Sequence, residues 1–146
     1  MKNKLFLILL LCTVSLSQEV YKKITHTTDP DAKCIDGSTP ALYVHQGSQP
    51  KNILIHLMGG GSCAAATKEQ SLEACFLRKD TQFGSSIPWR DTSSARGVGI
   101  CELDPDNKFK EWTKIFIVYC DGALFQGNNK NPIEYKGAKL YFRGSV

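Results

Sequence analysis

KIFIVYC, residues 114–120, carries the strongest strand signal in the sequence. Its apolar side chains follow one another almost without interruption, which is typical of a strand whose sheet is covered on both faces. Such strands lie in parallel sheets, where neighbouring strands are joined by crossover connections of about a dozen residues or more. The segment between residues 58 and 114 is long enough for one crossover. The sequence therefore predicts an α/β layer arrangement.

Further elements are predicted upstream of this strand. Residues 41–46 and 52–58 are short, apolar and rich in β-formers, and a turn segment containing Pro50 joins them. Residues 67–79 combine helix formers with early acidic and late basic side chains, which the helix dipole favours. Residues 81–99 are rich in Ser, Gly and Arg without a clear period, so we predict a surface excursion there.

The first 17 residues predict a secretory signal peptide. Lys2 and Lys4 precede an apolar run at residues 5–12, and Ser15 and Ser17 offer the small side chains that a cleavage site needs. The apolar run of about eight residues is far shorter than the roughly 20 that span a bilayer. We therefore expect a secreted product without a membrane anchor.

Residues 18–146 contain no internal repeat or low-complexity tract, so we expect one domain or a portion of one. The formal charge of the whole chain is +4. Removal of two lysines with the signal peptide lowers it to about +2. This weak balance predicts that nucleic acid is not a partner.

Five cysteines follow the predicted cleavage point: Cys34, Cys63, Cys75, Cys101 and Cys120. In an oxidising compartment we expect disulfides, and the odd number leaves one thiol free, paired between chains, or paired with a cysteine outside this sequence. A zinc site is the competing interpretation, but no C-x-x-C or H-x-x-x-H spacing occurs. We expect neither a metal nor a cofactor.

The segment LMGGGSC, residues 57–63, has the clearest catalytic character. Three glycines after a strand let several backbone N–H groups turn toward one point, as in the oxyanion loops of lipases and esterases. Such donors stabilise the negative charge that develops on a carbonyl oxygen during acyl transfer. A flexible turn is the alternative, and a phosphate-binding loop is excluded because no Lys-Ser or Lys-Thr follows at the required offset. We call residues 58–62 the glycine loop.

Ser62 has a second interpretation, as a nucleophile. GGSCA, residues 60–64, loosely resembles a G-x-S-x-G nucleophile elbow with Ala in the last place. An elbow serine needs a histidine base and an acid that orients it, and in these hydrolases both follow the serine. No histidine follows His56, so this hypothesis is the less favoured one.

Five stretches share their order and spacing with one protein family: DGS (36–38), LMGGGSC (57–63), CFLRKDTQFGSS (75–86), YCDGALFQG (119–127) and LYFRG (140–144). Together they resemble the N-terminal part of the pectin acetylesterase and Notum family. The resemblance runs from about residue 34 to the last residue. It is closer to the pectin acetylesterases than to Notum, a lipid-removing carboxylesterase.

The resemblance implies an α/β-hydrolase-like sheet, in which the backbone of Gly60 and Gly61 provides the oxyanion donors. Two neighbours depart from the family, since Met58 stands where Glu is usual and Ser62 where Trp is usual. The nucleophile elbow is expected roughly 30 residues of βαβ structure after LYFRG. We therefore expect an incomplete sheet that lacks the catalytic Ser, Asp and His. A partial gene sequence and a truncated paralogue explain this equally well.

The resemblance also implies how the cysteines pair. Cys34 with Cys120 would tie the N-terminal segment to the central strand, and Cys63 with Cys75 would form a local disulfide. Cys101 would then be the free thiol, at a position where the family usually has serine.

Ser62 and Asp121 are the candidate substrate-binding residues. Asp121 follows the strong strand at the edge where open α/β sheets place their ligands, and a turn-forming role is its alternative. Scattered cations are candidates for contact with an acidic polysaccharide: Arg78, Lys79, Arg90 and Arg96. Isolated cations are more often solvated surface.

Two functional hypotheses follow. The first is a secreted serine-type carboxylic ester hydrolase that deacetylates an acylated, pectin-like polysaccharide, of which this chain alone is inactive. The second is a non-catalytic truncated paralogue or secreted binding fragment. A Notum-like lipid deacylase is a further alternative.

Overall fold

The structure is a computed structural model, and it describes residues 20–94 and 99–145. The predicted signal peptide at residues 1–17 and the candidate cation Arg96 lie outside the described residues.

The described residues form a five-stranded sheet, a separate two-stranded hairpin and one α-helix. The elements are β1 (Tyr21–Thr25), β2 (Ala41–His45), β3 (Gln49–Leu57), α1 (Lys68–Arg78), β4 (Thr92–Ser93), a 3-10 helix (Gly99–Cys101), β5 (Trp112–Ile117), β6 (Ile133–Tyr135) and β7 (Ala138–Leu140). In the large sheet the strands lie in the order β3, β5, β2, β1, β4, and β6 pairs with β7.

The predicted strong strand is β5, which lies between β2 and β3. It pairs antiparallel with β2 and parallel with β3, where Ile55 faces Ile115 and Leu57 faces Ile117. The parallel pair requires a crossover, and the long segment between the two strands provides it. The α/β prediction is confirmed as a mixed sheet with few helices. β3 begins three residues earlier than predicted, because Gln49 pairs with Trp112.

α1 forms within the predicted range. Thr67 is the N-cap: its hydroxyl accepts a hydrogen bond from the amide of Gln70 at 3.2 Å, and Oε1 of Gln70 accepts one from the amide of Thr67 at 3.2 Å. This reciprocal pair is a capping box, which satisfies two amides that lack partners inside the helix. Leu72 and Cys75 form the buried side of α1.

Only one face of the sheet is covered within the described residues, which corrects the expectation that both faces are buried. On the inner face, Lys114 and Phe116 of β5 are buried, whereas Ile115 and Ile117 on the outer face are half-buried. On β3, inner Leu54 is 8% exposed. Trp89 and Cys101 of the crossover pack in the core on the inner face, whereas Leu72 and Cys75 of α1 pack in a second cluster with Ile35 and Leu140.

Residues 81–99 are not only a surface excursion, and that part of the prediction is wrong. Trp89 is buried in the inner-face core. The hydroxyl of Tyr43 on β2 donates to the carbonyl of Arg90 at 2.6 Å, and β4 pairs with Tyr21 and Lys22 on β1. The pattern missed this because an isolated tryptophan among polar residues has no period, yet it buries a large apolar area.

Both disulfides that the resemblance implied are present, Cys34 with Cys120 and Cys63 with Cys75. The first joins the N-terminal segment to the residues that follow β5, and the second joins the end of the glycine loop to α1. Cys101 is a free, fully buried thiol, and burial raises its pKa. Its thiol is thus protonated at neutral pH and poorly nucleophilic.

Candidate active site: the glycine loop

The glycine loop follows β3 and is fixed at both ends. The amide of Met58 donates to the carbonyl of Ile117 on β5 at 2.9 Å, and the amide of Cys63 donates to the carbonyl of Gly122 at 2.9 Å. The Cys63 disulfide adds a covalent tie to α1. The loop therefore lies at the carboxyl end of the parallel pair β3 and β5, which is the edge where α/β sheets bind ligands.

Between these two ends the loop presents unused backbone donors. Within residues 20–94 and 99–145, the amides of Gly60, Gly61 and Ser62 donate to no protein acceptor. All three residues are exposed, so water solvates these amides in the free protein. A bound oxyanion can replace that water.

Arg78, in the last turn of α1, binds backbone carbonyls of the glycine loop. Its guanidinium donates through Nη1 to the carbonyl of Gly61 at 3.1 Å, through Nη2 to the carbonyl of Gly60, and through Nε to the carbonyl of Phe83 at 3.2 Å. It also lies over the rings of Phe83 and Tyr119, 5.4 Å from each centroid. From the sequence, Arg78 was one of four scattered cations. In the structure, its side chain contacts the glycine loop.

A weak sequence signal for this contact exists in hindsight. Arg78 lies three residues after Cys75, so a helix places both side chains on the same side. Cys75 reaches the loop through its disulfide, and Arg78 reaches it through hydrogen bonds. The pairing of Cys75 is needed before the position of Arg78 becomes informative.

The bonds to Arg78 determine where the loop amides point. In a trans peptide the N–H of one residue is antiparallel to the carbonyl of the residue before it. The structure contains no cis peptide bond in the described residues. Because the carbonyls of Gly60 and Gly61 face Arg78, the amides of Gly61 and Ser62 face away from it. The two amides thus point to the same side of the loop.

Glycine is required at two positions of the loop for different reasons. A Cβ added to Gly60 would lie 2.8 Å from Cδ1 of Tyr119, whose buried ring has little room to move. Gly61 has a φ of +69°, where other L-residues are strained. Gly59 has neither constraint, since no heavy atom lies within 4 Å of an added Cβ.

Ser62 borders a cavity of about 480 Å³ between the loop, α1 and the segment after β5. Its walls are mostly apolar, with a few polar groups: Lys68, Ser71 and Asn129. The Ser62 hydroxyl accepts a hydrogen bond from the amide of Ala64 at 3.3 Å.

Asp121 lies at a different cavity, of about 250 Å³, so the structure does not bring the two candidate substrate-binding residues together. Asp121 is 2% exposed, and its Oδ1 accepts a hydrogen bond from the amide of Phe125 at 3.3 Å. Within the described part of the chain Oδ2 has no partner, and burial raises the pKa of this carboxyl group. The contact with Phe125 supports the turn-forming alternative.

The histidines on the sheet lie against aromatic rings. His45 is 5.7 Å from the ring of Tyr21, and His56 stacks on Phe116 at 5.4 Å, measured between centroids. Such packing is typical of structural histidines. The hypothesis that Ser62 is a nucleophile stays a prediction without a base assigned to it.

Among residues 20–94 and 99–145, no group of three His, Cys, Asp or Glu side chains is arranged to hold a metal ion. Over the same residues, no helix has the length and apolar content to cross a membrane.

The sheet, with the glycine loop at the carboxyl end of its parallel pair, defines an α/β-hydrolase-like protein. Comparison with known proteins identifies the family. The profile described as Pectinacetylesterase matches residues 15–146. The chain belongs to this esterase family.

Two relatives from Arabidopsis thaliana, pectin acetylesterase 5 and pectin acetylesterase 7, are each 36% identical to it, over 118 and 120 residues. The alignments cover 79% and 78% of this chain but 26% and 28% of the relatives. The chain thus spans about a quarter of the length of these curated relatives.

A solved structure agrees on the fold. The Wnt deacylase Notum from Drosophila superposes with a TM-score of 0.69 at 19% identity, covering 86% of this chain and 35% of that one. The likeness confirms the α/β-hydrolase-like fold.

Proposed function

We propose that this chain is the oxyanion-loop portion of a secreted carboxylic ester hydrolase, which removes acetyl groups from a pectin-like polysaccharide through a serine acyl-enzyme intermediate. One observation carries the proposal: a glycine loop at the carboxyl end of a parallel strand pair, with its free amides on the side opposite Arg78. On this proposal the catalytic Ser, Asp and His come from sequence beyond residue 146.

The oxyanion donors are backbone amides of the loop. Gly60 and Gly61 are the donors implied by the family resemblance, and the peptide orientation favours Gly61 together with Ser62. Fixed amides of this kind are effective because they need no reorganisation when charge develops on the carbonyl oxygen.

The cavity beside Ser62 is the proposed place for the acylated sugar. Its volume of about 480 Å³ exceeds that of one sugar ring, and its polar lining groups are hydrogen-bonding partners for hydroxyls. Where the family usually has Trp, the small Ser62 leaves this entrance wide. The two disulfides support secretion, since they form in oxidising compartments.

The first experiment is to sequence the native transcript downstream of the Val146 codon and to express the complete reading frame. We expect a G-x-S-x-G elbow and later Asp and His residues, and hydrolysis of p-nitrophenyl acetate and of acetylated pectin. A faster reaction with a long-chain p-nitrophenyl ester would favour the Notum-like lipid deacylase instead.

Two variants test the loop in that protein. Gly60→Ala should lower kcat/KM roughly 100- to 1000-fold, the usual effect of losing an oxyanion donor, because the added methyl group collides with Tyr119. Gly59→Ala is the matched control and should stay within about threefold of wild type, since its Cβ meets nothing. Equal effects of the two substitutions would contradict the proposal.

A stop codon directly after Val146 would favour the non-catalytic alternative. Residues 18–146 are then expected to give no turnover of p-nitrophenyl acetate. Turnover that Ser62→Ala abolishes would instead identify Ser62 as the nucleophile.

A further inference from the structure

The side chain of Arg78 has more partners at the glycine loop than any neighbouring cation. Three of its nitrogens donate to backbone carbonyls, and its Cζ lies over two aromatic rings at 5.4 Å from each centroid. A planar guanidinium with donors in a rigid fork can bind two adjacent carbonyls at once, which an ammonium group cannot do in the same geometry. The contact is therefore specific to arginine.

Neighbouring Lys79 is a cation that does not bind the glycine loop. Its Nζ pairs with Asp80, which is the next residue, and lies 5.2 Å from the centroid of the Phe76 ring. It makes no contact with the loop among the described residues. The difference between two adjacent basic residues shows that charge alone does not account for the position of Arg78.

We propose that Arg78 is the positioning residue of the oxyanion loop. By binding the carbonyls of Gly60 and Gly61, it holds the peptide planes so that the following amides point together at the reacting carbonyl oxygen. Arg78 does not touch the substrate. The proposal rests on the proposed function for its catalytic consequence, whereas its structural consequence, a rigid loop, can be measured without any activity.

The rings beside Arg78 strengthen this role. The guanidinium carbon of Arg78 lies over the rings of Phe83 and Tyr119, and these cation–π contacts favour the position in which the side chain binds the carbonyls. Phe83 also offers its own carbonyl to Nε. Tyr119 lies against Gly60, so the ring, the guanidinium and the loop form one contiguous contact.

The test compares Arg78→Met, Arg78→Lys and the control Lys79→Met in the protein expressed from its complete reading frame and labelled uniformly with ¹⁵N. Nuclear magnetic resonance order parameters report loop rigidity. In wild type and Lys79→Met, the amides of Gly61 and Ser62 should give values of about 0.85, and in Arg78→Met they should fall below about 0.6. Arg78→Lys should lie between, and it provides the readout if the Met variant does not fold.

Kinetics give the second readout. Arg78→Met should lower kcat for p-nitrophenyl acetate roughly 100-fold, the scale of one lost oxyanion donor, with KM within about threefold of wild type. Millimolar methylguanidinium should restore part of kcat in Arg78→Met and have no effect on Lys79→Met. A general loss of folding would not respond to this small cation.

The outcomes separate the two proposals. Rigid Gly61 and Ser62 amides in Arg78→Met, or Arg78→Lys identical to wild type in both readouts, would overturn the positioning role. A mobile loop with an unchanged kcat would overturn its catalytic consequence and the oxyanion assignment together. If wild type itself does not hydrolyse esters, the proposed function fails, and the order parameters still decide whether Arg78 holds the loop.

Discussion

The two faces of the five-stranded sheet are both apolar in sequence, yet the described chain covers only the inner one. On the inner face Phe116 is 9% exposed and packs in one core with Trp89 and Cys101. On the outer face Ile55 is 62% and Leu57 58% exposed, although both are residues of the strand that leads to the glycine loop.

The difference shows that hydrophobic sequence and actual burial are separate properties. Large apolar patches of this kind are typical of surfaces that form contacts with other protein segments. Ile53 and Ile24 extend the patch across the sheet, with 53% and 51% of their surfaces exposed. The inner face holds the fold together, and the outer face offers apolar area that the described residues do not use.

The largest expected effect is a loss of stability when a buried side chain on the inner face is truncated. Phe116→Ala should lower the free energy of unfolding by about 3–5 kcal/mol, because it removes a buried aromatic ring and leaves a cavity. Urea unfolding followed by circular dichroism measures the change.

Ile55→Ala is the matched substitution on the outer face. In residues 18–146 alone it should cost less than about 1 kcal/mol, since most of the side chain is already in water. A cost of about 2–5 kcal/mol in the protein from the complete reading frame would show that the outer face is covered there.

A moderate effect is expected on association. Replacing Ile53, Ile55 and Leu57 with Ser should lower the concentration-dependent association of residues 18–146, because these side chains are the most exposed of the patch. Sedimentation velocity measures it, with Ile87→Ser as the control, since Ile87 is 81% exposed at a site away from the sheet. A monomeric wild type with a sharp cooperative melt would break the comparison.

The smallest expected effect is the pH dependence of stability that comes from Asp121, which follows the carboxyl end of β5. Burial raises its pKa in the folded state above the ordinary value of 3.8, so the folded state binds the proton more tightly. The stabilisation that proton binding to Asp121 gives the folded state is therefore complete below about pH 4. It is lost as the pH rises through the folded pKa. Its size is about 1.4 kcal/mol for each tenfold difference in proton affinity between the folded and unfolded states. The cationic groups Lys33 and Arg143 and the imidazole of His26 line the same cavity.

Asp121→Asn removes that titration. Thermal melts between pH 4 and 7 should show wild type losing stability relative to the variant as the pH rises. Parallel curves for the two proteins would show that Asp121 keeps its ordinary pKa.

Much of the fold could be predicted because its signals are local. The helix at α1 follows from a run of helix formers with early acidic and late basic side chains, and β5 follows from a nearly unbroken apolar stretch. The burial of Trp89 and the open outer face could not be predicted, because both depend on which segment packs over the sheet. Periodicity along one strand does not contain that information.

The candidate site, like the fold, could be predicted from the sequence only in part. The glycine triplet indicates an oxyanion loop from sequence, since glycine adopts the positive φ found at Gly61 with the least strain. The hydrogen bonds of Arg78 join residues 17 and 18 positions apart, and the separate cavities of Ser62 and Asp121 depend on the path of the chain after β5. Such relations exist only in three dimensions.

The placement of β5 between β2 and β3 also determines when the strands can pair during translation. β2 and β3 leave the ribosome first, and roughly 50 residues must follow before the strand that joins them appears. At the usual elongation rate of about 5–20 residues per second, the edges of β2 and β3 that pair with β5 stay without that partner for several seconds. The nascent chain is then most exposed to chaperones during this interval, and Cys34 cannot find Cys120 until it ends.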